Sequence, residues 1–231
     1  MKIVAFSDVH GNAYALNEFI KRISELEYDK LVFLGDIFGY YYEQKDCIEA
    51  LKRIPDLVWL KGNHDDYAVR VFNGKIDEKK LISSFGHSYA NIQEKIEGSD
   101  MSMISELSSS YVLKCGGKKI GFFHGSPNNE LEGRIYMDTE LQEDEFKDFD
   151  ILILGHTHHK MIRTIGEKKV INPGSLGQPR DGKGYGFMLF DTESEECEFI
   201  NVSVDNTLLK QQIDANDSGL HKLYDVLGRE G

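Results

Sequence analysis

Hydrophobic positions along this chain follow two patterns that alternate. Short, nearly uninterrupted apolar runs at 2–6, 31–34, 57–60, 120–123 and 151–154 read as buried strands. Between the first of them, residues 12–26 set Ala15, Leu16, Phe19, Ile20 and Ile23 near the helical period, and 44–53 forms a second helix candidate stopped by Pro55. Residues 1–62 are therefore expected to run β-α-β-α-β, with parallel strands and right-handed connections. The segment 66–110 breaks this rhythm with a long, polar, helical insertion, read either as a lid or substrate-shaping cap or as plain cover for one side of the sheet. From Tyr111 the pattern becomes hairpin-like: 111–114 and 118–123 flank a Gly116-Gly117 turn, and short strands return at 161–165, 168–171, 186–190 and 198–204. The second half thus reads as antiparallel or mixed. The tail from Asn206 is compatible with helix, and its final few residues are expected to be disordered.

Composition narrows the class without naming a function. A chain of 231 residues can bury a full core as one domain, 1–231, and nothing in its composition asks for a second. No apolar stretch approaches a membrane span, and the early Lys2, Asp8 and His10 leave no room for a signal peptide, so the cytoplasm is the expected compartment. Cys47, Cys115 and Cys197 are odd in number and lack a C-x-x-C spacing, which makes them packing residues. A net charge of -12 argues against nonspecific binding to nucleic acid, although a local basic channel is compatible with it. The acidic residues lie mainly in helix-like stretches such as 140–150, as solvated faces.

Candidate chemistry sits directly behind the five apolar runs. There stand Asp8-Val9-His10, Gly35-Asp36, Gly62-Asn63-His64-Asp65, His124-Gly125 and Gly155-His156-Thr157-His158. Carboxylate, amide and imidazole donors without sulfur suit Mn, Fe or Zn rather than a soft metal. Asp8 and His10 are two apart, so an extended chain would send both side chains to one side, where they can share an ion. Asp36 offers two oxygens that could bridge two ions. Asn63, His124, His156 and His158 bring the set to seven, too many for a single tetrahedral site and suited to two ions sharing one carboxylate. Taken singly, each cluster has an ordinary explanation: a capped helix start for Asp8-x-His10, a turn for Gly35-Asp36 and for Gly62-Asn63. Together they hold five of the eight histidines, in order, each after a buried strand.

The five blocks D-x-H, G-D, G-N-H-[DE], H and G-H-x-H resemble those of the calcineurin-like metallophosphoesterases over residues 1 to about 190. Within that family, His124-Gly125-Ser126-Pro127 and Asn172-Pro173-Gly174-Ser175 look most like the small prokaryotic phosphodiesterase branch. The resemblance implies an α/β fold, a four-layer α-β-β-α sandwich of two mixed sheets, here with the insertion at about 66–110. It implies Asp8, His10 and His158 on one divalent ion, Asn63, His124 and His156 on a second, and Asp36 between them. Manganese is the first expectation, with iron, zinc or nickel as alternatives. His64 is left outside the ligand set, as a protonated imidazole that stabilises phosphoryl charge and protonates the departing alkoxide. A bridging hydroxide would attack phosphorus in line.

The sequence departs from the phosphoprotein phosphatases, which continue the second block as G-D-x-x-D-R-G. Gly39 and Tyr40 stand at the acid and arginine positions, so nothing in the sequence explains what orients His64. Asp65 is expected to cap or anchor its own loop. Arg180, near a Gly-rich turn whose N–H groups could approach metal or phosphate, is the candidate phosphate clamp, against a surface pairing with Asp181. Tyr40, Tyr41 and Tyr42 either pack under the insertion or stack on a nucleobase. His159 is expected at the rim, and His87 and His221 at the surface or in the core. The implied function is hydrolysis of a phosphate ester or anhydride in a small phosphorylated substrate. A non-catalytic scaffold of the same fold is the alternative from another class, and a monoesterase or dinucleoside polyphosphate hydrolase the alternative within it. A DNA-end nuclease is disfavoured by the charge.

Overall fold

A computed structural model describes residues 1–227; the final residues expected to be disordered lie largely outside that range. Its strands are β1 (Lys2–Phe6), β2 (Lys30–Phe33), β3 (Val58–Trp59), β4 (Ser110–Cys115), β5 (Lys118–Phe123), β6 (Ile151–Leu154), β7 (Lys160–Ile165), β8 (Lys168–Pro173), β9 (Gly186–Asp191) and β10 (Cys197–Asn201). They form two five-stranded sheets, in the orders β10-β9-β1-β2-β3 and β4-β5-β6-β8-β7. Both are mixed: β1, β2 and β3 run parallel with β9 and β10 added antiparallel, and β5, β6 and β8 run parallel with antiparallel β4 and β7 at the edges. The α/β sandwich is the one expected. The second half of the chain, however, also completes the first sheet.

Alternation within each run explains why the sheets stack. In β1, Ile3 and Ala5 enter the core between the sheets with Val32, Ile120, Phe122, Ile151 and Ile153. Val4 and Phe6 point the other way, to a core shared with the helices α1 (Ala13–Ile23) and α2 (Gln44–Lys52). Helix α1 starts at Asn12, whose side chain accepts from Ala15 N at 3.0 Å, and it buries Ala15, Leu16, Phe19 and Ile23 at helical spacing. The outer face of the second sheet, with Leu152 and Leu154, is covered by Ile135 and Phe146. The acidic stretch 140–150, read as helical, holds only a 3-10 turn at Glu143–Phe146. The run 57–60 yields a strand of two residues: Leu60 N still donates to Phe33 O of β2, and the following N–H, of Lys61, turns away to Ser108 O.

The insertion is helical, and its first helix begins earlier than expected, inside the third cluster. Helices α3 (Asn63–Phe72), α4 (Glu78–Phe85), α5 (Ile92–Lys95) and α6 (Gly98–Glu106) pack Ala68, Val71, Ile92, Met101 and Ile104 into the helix-side core. Between α4 and α5 a 3-10 turn, His87–Tyr89, turns inward with Tyr89 fully buried. The tail folds as α7 (Thr207–Asp217) and α8 (Lys222–Leu227), burying Leu209, Ile213 and Leu223 in the same core. Asp217 at the end of α7 accepts from Tyr42 Oη (2.7 Å) and from His87 N (2.9 Å), tying the tail to that turn. Cys47 is buried packing, as expected, and all three cysteines are free. Among the described residues no helix is long and apolar enough to cross a membrane.

Candidate metal centre

All five clusters leave the carboxyl ends of their strands: the first three from one sheet, the last two from the other. The two sheets thereby bring their loops to one point, as open α/β sheets do. The loops are stitched by hydrogen bonds that cross between clusters. Asp8 N donates to Gly35 O (2.9 Å), His10 N to Asp36 O (3.0 Å), His64 N to Asp36 Oδ1 (2.8 Å) and His156 N to Asp8 Oδ2 (3.1 Å). Asp65 is the hub of this stitching: its carboxylate accepts from Gly62 N in its own loop, and from Asp36 N, Ile37 N and Phe38 N in the neighbouring one. The expectation that Asp65 serves its own loop is therefore too narrow. Gly62 is required by contact, since a Cβ there would sit 2.0 Å from Asp36 Oδ1.

The backbone at the candidate ligands is not extended. Asp8, His10, Asp36, His156 and His158 have φ of +58°, +50°, +69°, +66° and +62°, the left-handed region that side chains avoid. Asp8 and His10 thus share a side through two left-handed residues, not through the extended chain assumed from their spacing. Each such residue costs on the order of 1 kcal/mol, so the buried cross-loop hydrogen bonds must hold them there.

Once each carboxylate has given one oxygen to a backbone N–H, the other faces the centre. Asp8 Oδ1 and Asp36 Oδ2 are buried and without a hydrogen-bond donor. Asp36 therefore reaches both halves of the site through Oδ2 alone, 3.4 Å from His124 Nε2 and 3.7 Å from His10 Nε2, rather than through two oxygens. His10, His124 and His158 each donate Nδ1–H to a backbone carbonyl, of Phe38, Leu34 and Gln178. That bond sets the tautomer and turns Nε2 inward. Nε2 of His10 and Nε2 of His158 lie 3.0 Å apart, and His158 Nε2 is 3.2 Å from Asp8 Oδ1. Lone pairs facing each other and an anionic oxygen at these distances repel unless a cation stands among them. The donor atoms fall into two groups, Asp8-His10-His158 and Asp36-His124-His156, each within 4.8 Å, and Asn63 Oδ1 joins the second at 3.0 Å from His124 Nε2. The centre fits divalent metal ions.

Electrostatics agree with that fit. Burial opposes ionisation of both carboxylates, but His158 with His10, and His124 with His64, outweigh it and hold Asp8 and Asp36 well below the usual carboxylate range. Burial with Arg180 pushes His158 down to about 3, and burial with His124 pushes His156 down to about 4. His124 goes the other way: Asp36 overcomes its burial and raises it to about 9. Burial lowers His64 well below its ordinary value, so in the metal-free chain this ring is neutral at pH 7 and not the imidazolium anticipated.

His64 is held by residues that carry no motif. Its Nδ1 is hydrogen-bonded to Tyr89 Oη at 2.6 Å, and its ring packs edge-on to Phe85 (4.5 Å) and beside Tyr40 (5.1 Å) and Tyr67 (5.6 Å). The insertion therefore both covers the sheet and reaches the site. Gly39 has φ +91°, and a Cβ there would lie 2.3 Å from His64 Nδ1, so the ring occupies the space a side chain at this position would need. Tyr40, Tyr41 and Tyr42 are packing residues: Tyr40 stands edge-on to His10, Tyr41 is fully buried, and Tyr42 is bonded to Asp217.

Arg180 Nη2 donates to Tyr40 Oη (2.8 Å) and Gln178 Oε1 (2.7 Å), at the His158 side. The Gly-rich turn before it does not aim its N–H groups at the centre. Leu176 N and Gly177 N donate to Ser7 O and Asp8 O, and Gln178 N to Ser175 Oγ, so this turn braces the first loop. A second arginine was not legible in the sequence: Arg134, exposed on the loop after β5, donates Nε to His156 Nε2 at 2.9 Å. His159 is half-buried beside Tyr136, His87 is bonded to Asp217, and His221 is exposed.

Comparison with known proteins agrees with this geometry. The family model described as calcineurin-like phosphoesterase superfamily domain matches residues 1–195. An uncharacterized protein of Methanocaldococcus jannaschii is 26% identical over 224 residues, covering 88% of each chain. Among solved structures, a hypothetical protein from Pyrococcus horikoshii superposes with a TM-score of 0.78 at 21% identity, covering 100% of this chain and 98% of its own. A metallophosphoesterase from Sphaerobacter thermophilus gives 0.75 at 23% identity, with 100% and 99% covered.

Proposed function

Starting from the fact that this chain belongs to the calcineurin-like phosphoesterase superfamily, we propose that it is a phosphodiesterase for a small nucleotide-like substrate, working with two divalent ions in the cytoplasm. The observation that carries the reading is the pair of donor-less buried oxygens, Asp8 Oδ1 and Asp36 Oδ2, among imidazole nitrogens turned inward by backbone carbonyls. Asp8, His10 and His158 would hold one ion, Asn63, His124 and His156 the other, and Asp36 Oδ2 both. Manganese is the first choice for this N/O set, before iron, zinc or nickel. When bound, two such ions supply Lewis acidity toward phosphoryl oxygens and lower the pKa of water. The chain's own share is positional and protic. His64 donates a hydrogen bond from its ring to the departing oxygen as negative charge develops there, while Arg134 on the His156 side and Arg180 on the His158 side attract the phosphoryl charge. Gly39 and Tyr40, where phosphoprotein phosphatases have an acid and an arginine, favour a diester over a phosphoprotein.

Bis-p-nitrophenyl phosphate with Mn²⁺ tests this directly. Hydrolysis is expected, faster than that of p-nitrophenyl phosphate and abolished by a chelator. Turnover of neither ester, with several metals tried, would favour the scaffold reading, and a faster monoester would favour a phosphatase. Double-stranded DNA is expected to remain intact under the same conditions.

Metal loading has a pH signature of its own. His124, raised to about 9, carries a proton at pH 7 in the metal-free chain, and an ion taking its Nε2 must displace it. Loading with Mn²⁺ in unbuffered solution is expected to release about one proton per chain at pH 7 from this ring. The release fades as pH rises through about 9, and metal affinity climbs over the same interval. A pH-stat that records no release at pH 7 would show that His124 is already neutral in the metal-free chain or takes no metal.

A further inference from the structure

His64 differs from the neighbouring rings in what its Nδ1 meets. For His10, His124 and His158 that partner is a backbone carbonyl, which can only accept, so the proton sits on Nδ1. For His64 it is a hydroxyl, Tyr89 Oη, which can donate, at 2.6 Å. The other acceptor within reach of that hydroxyl is His64 O at 3.4 Å, farther away and a weaker base than an imidazole nitrogen. Burial keeps the Tyr89 hydroxyl protonated, so it always has a hydrogen to give. The approach is fixed from several sides. Tyr89 is fully buried in its 3-10 turn, whose first residue, His87, donates its backbone N–H to Asp217 of α7. Position 39 has no room for a competing side chain next to Nδ1.

From this geometry, and resting on the reading of His64 as the hydrogen donor to the departing oxygen, we infer that Tyr89 is a positioning residue that sets the tautomer of His64. Its hydroxyl donates to Nδ1 and leaves the ring proton on Nε2, the nitrogen not engaged by Tyr89. His64 is thus the opposite tautomer to His10 and His158: they present lone pairs for cations, and it presents an N–H. A neutral imidazole can donate that hydrogen to an oxygen on which negative charge develops, as imidazole does in other buried sites. The insertion and the C-terminal helix, lying outside the five motif blocks, thereby decide what His64, the third residue of the third block, can do.

Nitrogen-15 spectra of histidine-labelled, metal-free full-length protein read the tautomer without any turnover. The expected His64 pattern is a protonated Nε2 and an acceptor-type Nδ1; a protonated Nδ1 would overturn the inference. Tyr89→Phe keeps the ring and removes the hydroxyl. Its kcat on bis-p-nitrophenyl phosphate is expected to fall about 10- to 100-fold, with KM and manganese content unchanged, the range for outer partners of site residues. The fall should vanish in a His64→Ala background, and a Tyr89→Phe enzyme as fast as the parent would sink the proposal. If His64→Ala alone leaves kcat intact, the hydrogen-donor reading fails instead, and the spectra still decide the tautomer.

Discussion

Asp36→Asn is expected to leave a folded protein that binds neither ion tightly and turns over at least about 10³-fold more slowly, because a single oxygen serves both halves of the centre. The substitution is chosen for shape. An amide can keep the Oδ1 contact to His64 N, at 2.8 Å in the parent, while removing the charge and the donor-less oxygen Oδ2. It also removes the group that raises His124, so the proton release seen on loading at pH 7 should disappear with the metal. Elemental analysis after dialysis against Mn²⁺, together with a melting curve, separates the outcomes. Two equivalents of metal retained by Asp36→Asn would show that the bridging role is wrong, whatever the activity.

His64→Ala is expected to behave in the opposite way toward metal. No Nε2 lone pair of this ring belongs to either donor group, so metal content should stay near that of the parent while kcat falls by about 10² to 10⁴. The ring also fills a pocket walled by Phe85, Tyr40 and Tyr67, and its loss leaves a cavity there. His64→Gln, which fills more of that space and keeps an N–H donor, is therefore the companion variant. Partial recovery of kcat by glutamine would support donation of a hydrogen. Metal content that fell in step with activity would remove the donor role and make His64 a support for Asn63.

Much of the centre was legible because its chemistry and its strands share one local grammar. A four- or five-residue apolar run followed by Asp, Asn or His needs no tertiary information to be recognised, and each run became a strand, even where β3 shrank to Val58–Trp59. Three readings went astray for a common reason. Asp8 and His10 were assumed extended, Asp36 was given two bridging oxygens, and the Gly-rich turn within 172–180 was offered to metal or phosphate. In each case hydrogen bonds from a different cluster consumed the groups in question: His64 N on Asp36 Oδ1, and Leu176 N and Gly177 N on Ser7 O and Asp8 O. Sequence spacing describes one loop at a time, whereas this site is built from bonds between loops. Arg134 and Tyr89 had no local signal at all, since an arginine in an irregular loop and a tyrosine in a polar insertion look like many others.

By itself, then, the sequence determined the donor types, their order behind buried strands, the family those blocks match, and the presence of a histidine in excess of the ligands. Those are properties of residue chemistry and of period, and both are local. Only the tertiary structure decided which oxygen of Asp36 faces the centre, which nitrogen of each ring does, and what stands behind His64. The physical reason is that an imidazole or a carboxylate has two nearly equivalent ends. Which end is left for chemistry depends on the partner that takes the other, and those partners, Phe38 O, Leu34 O, Gln178 O and Tyr89 Oη, come from elsewhere in the fold.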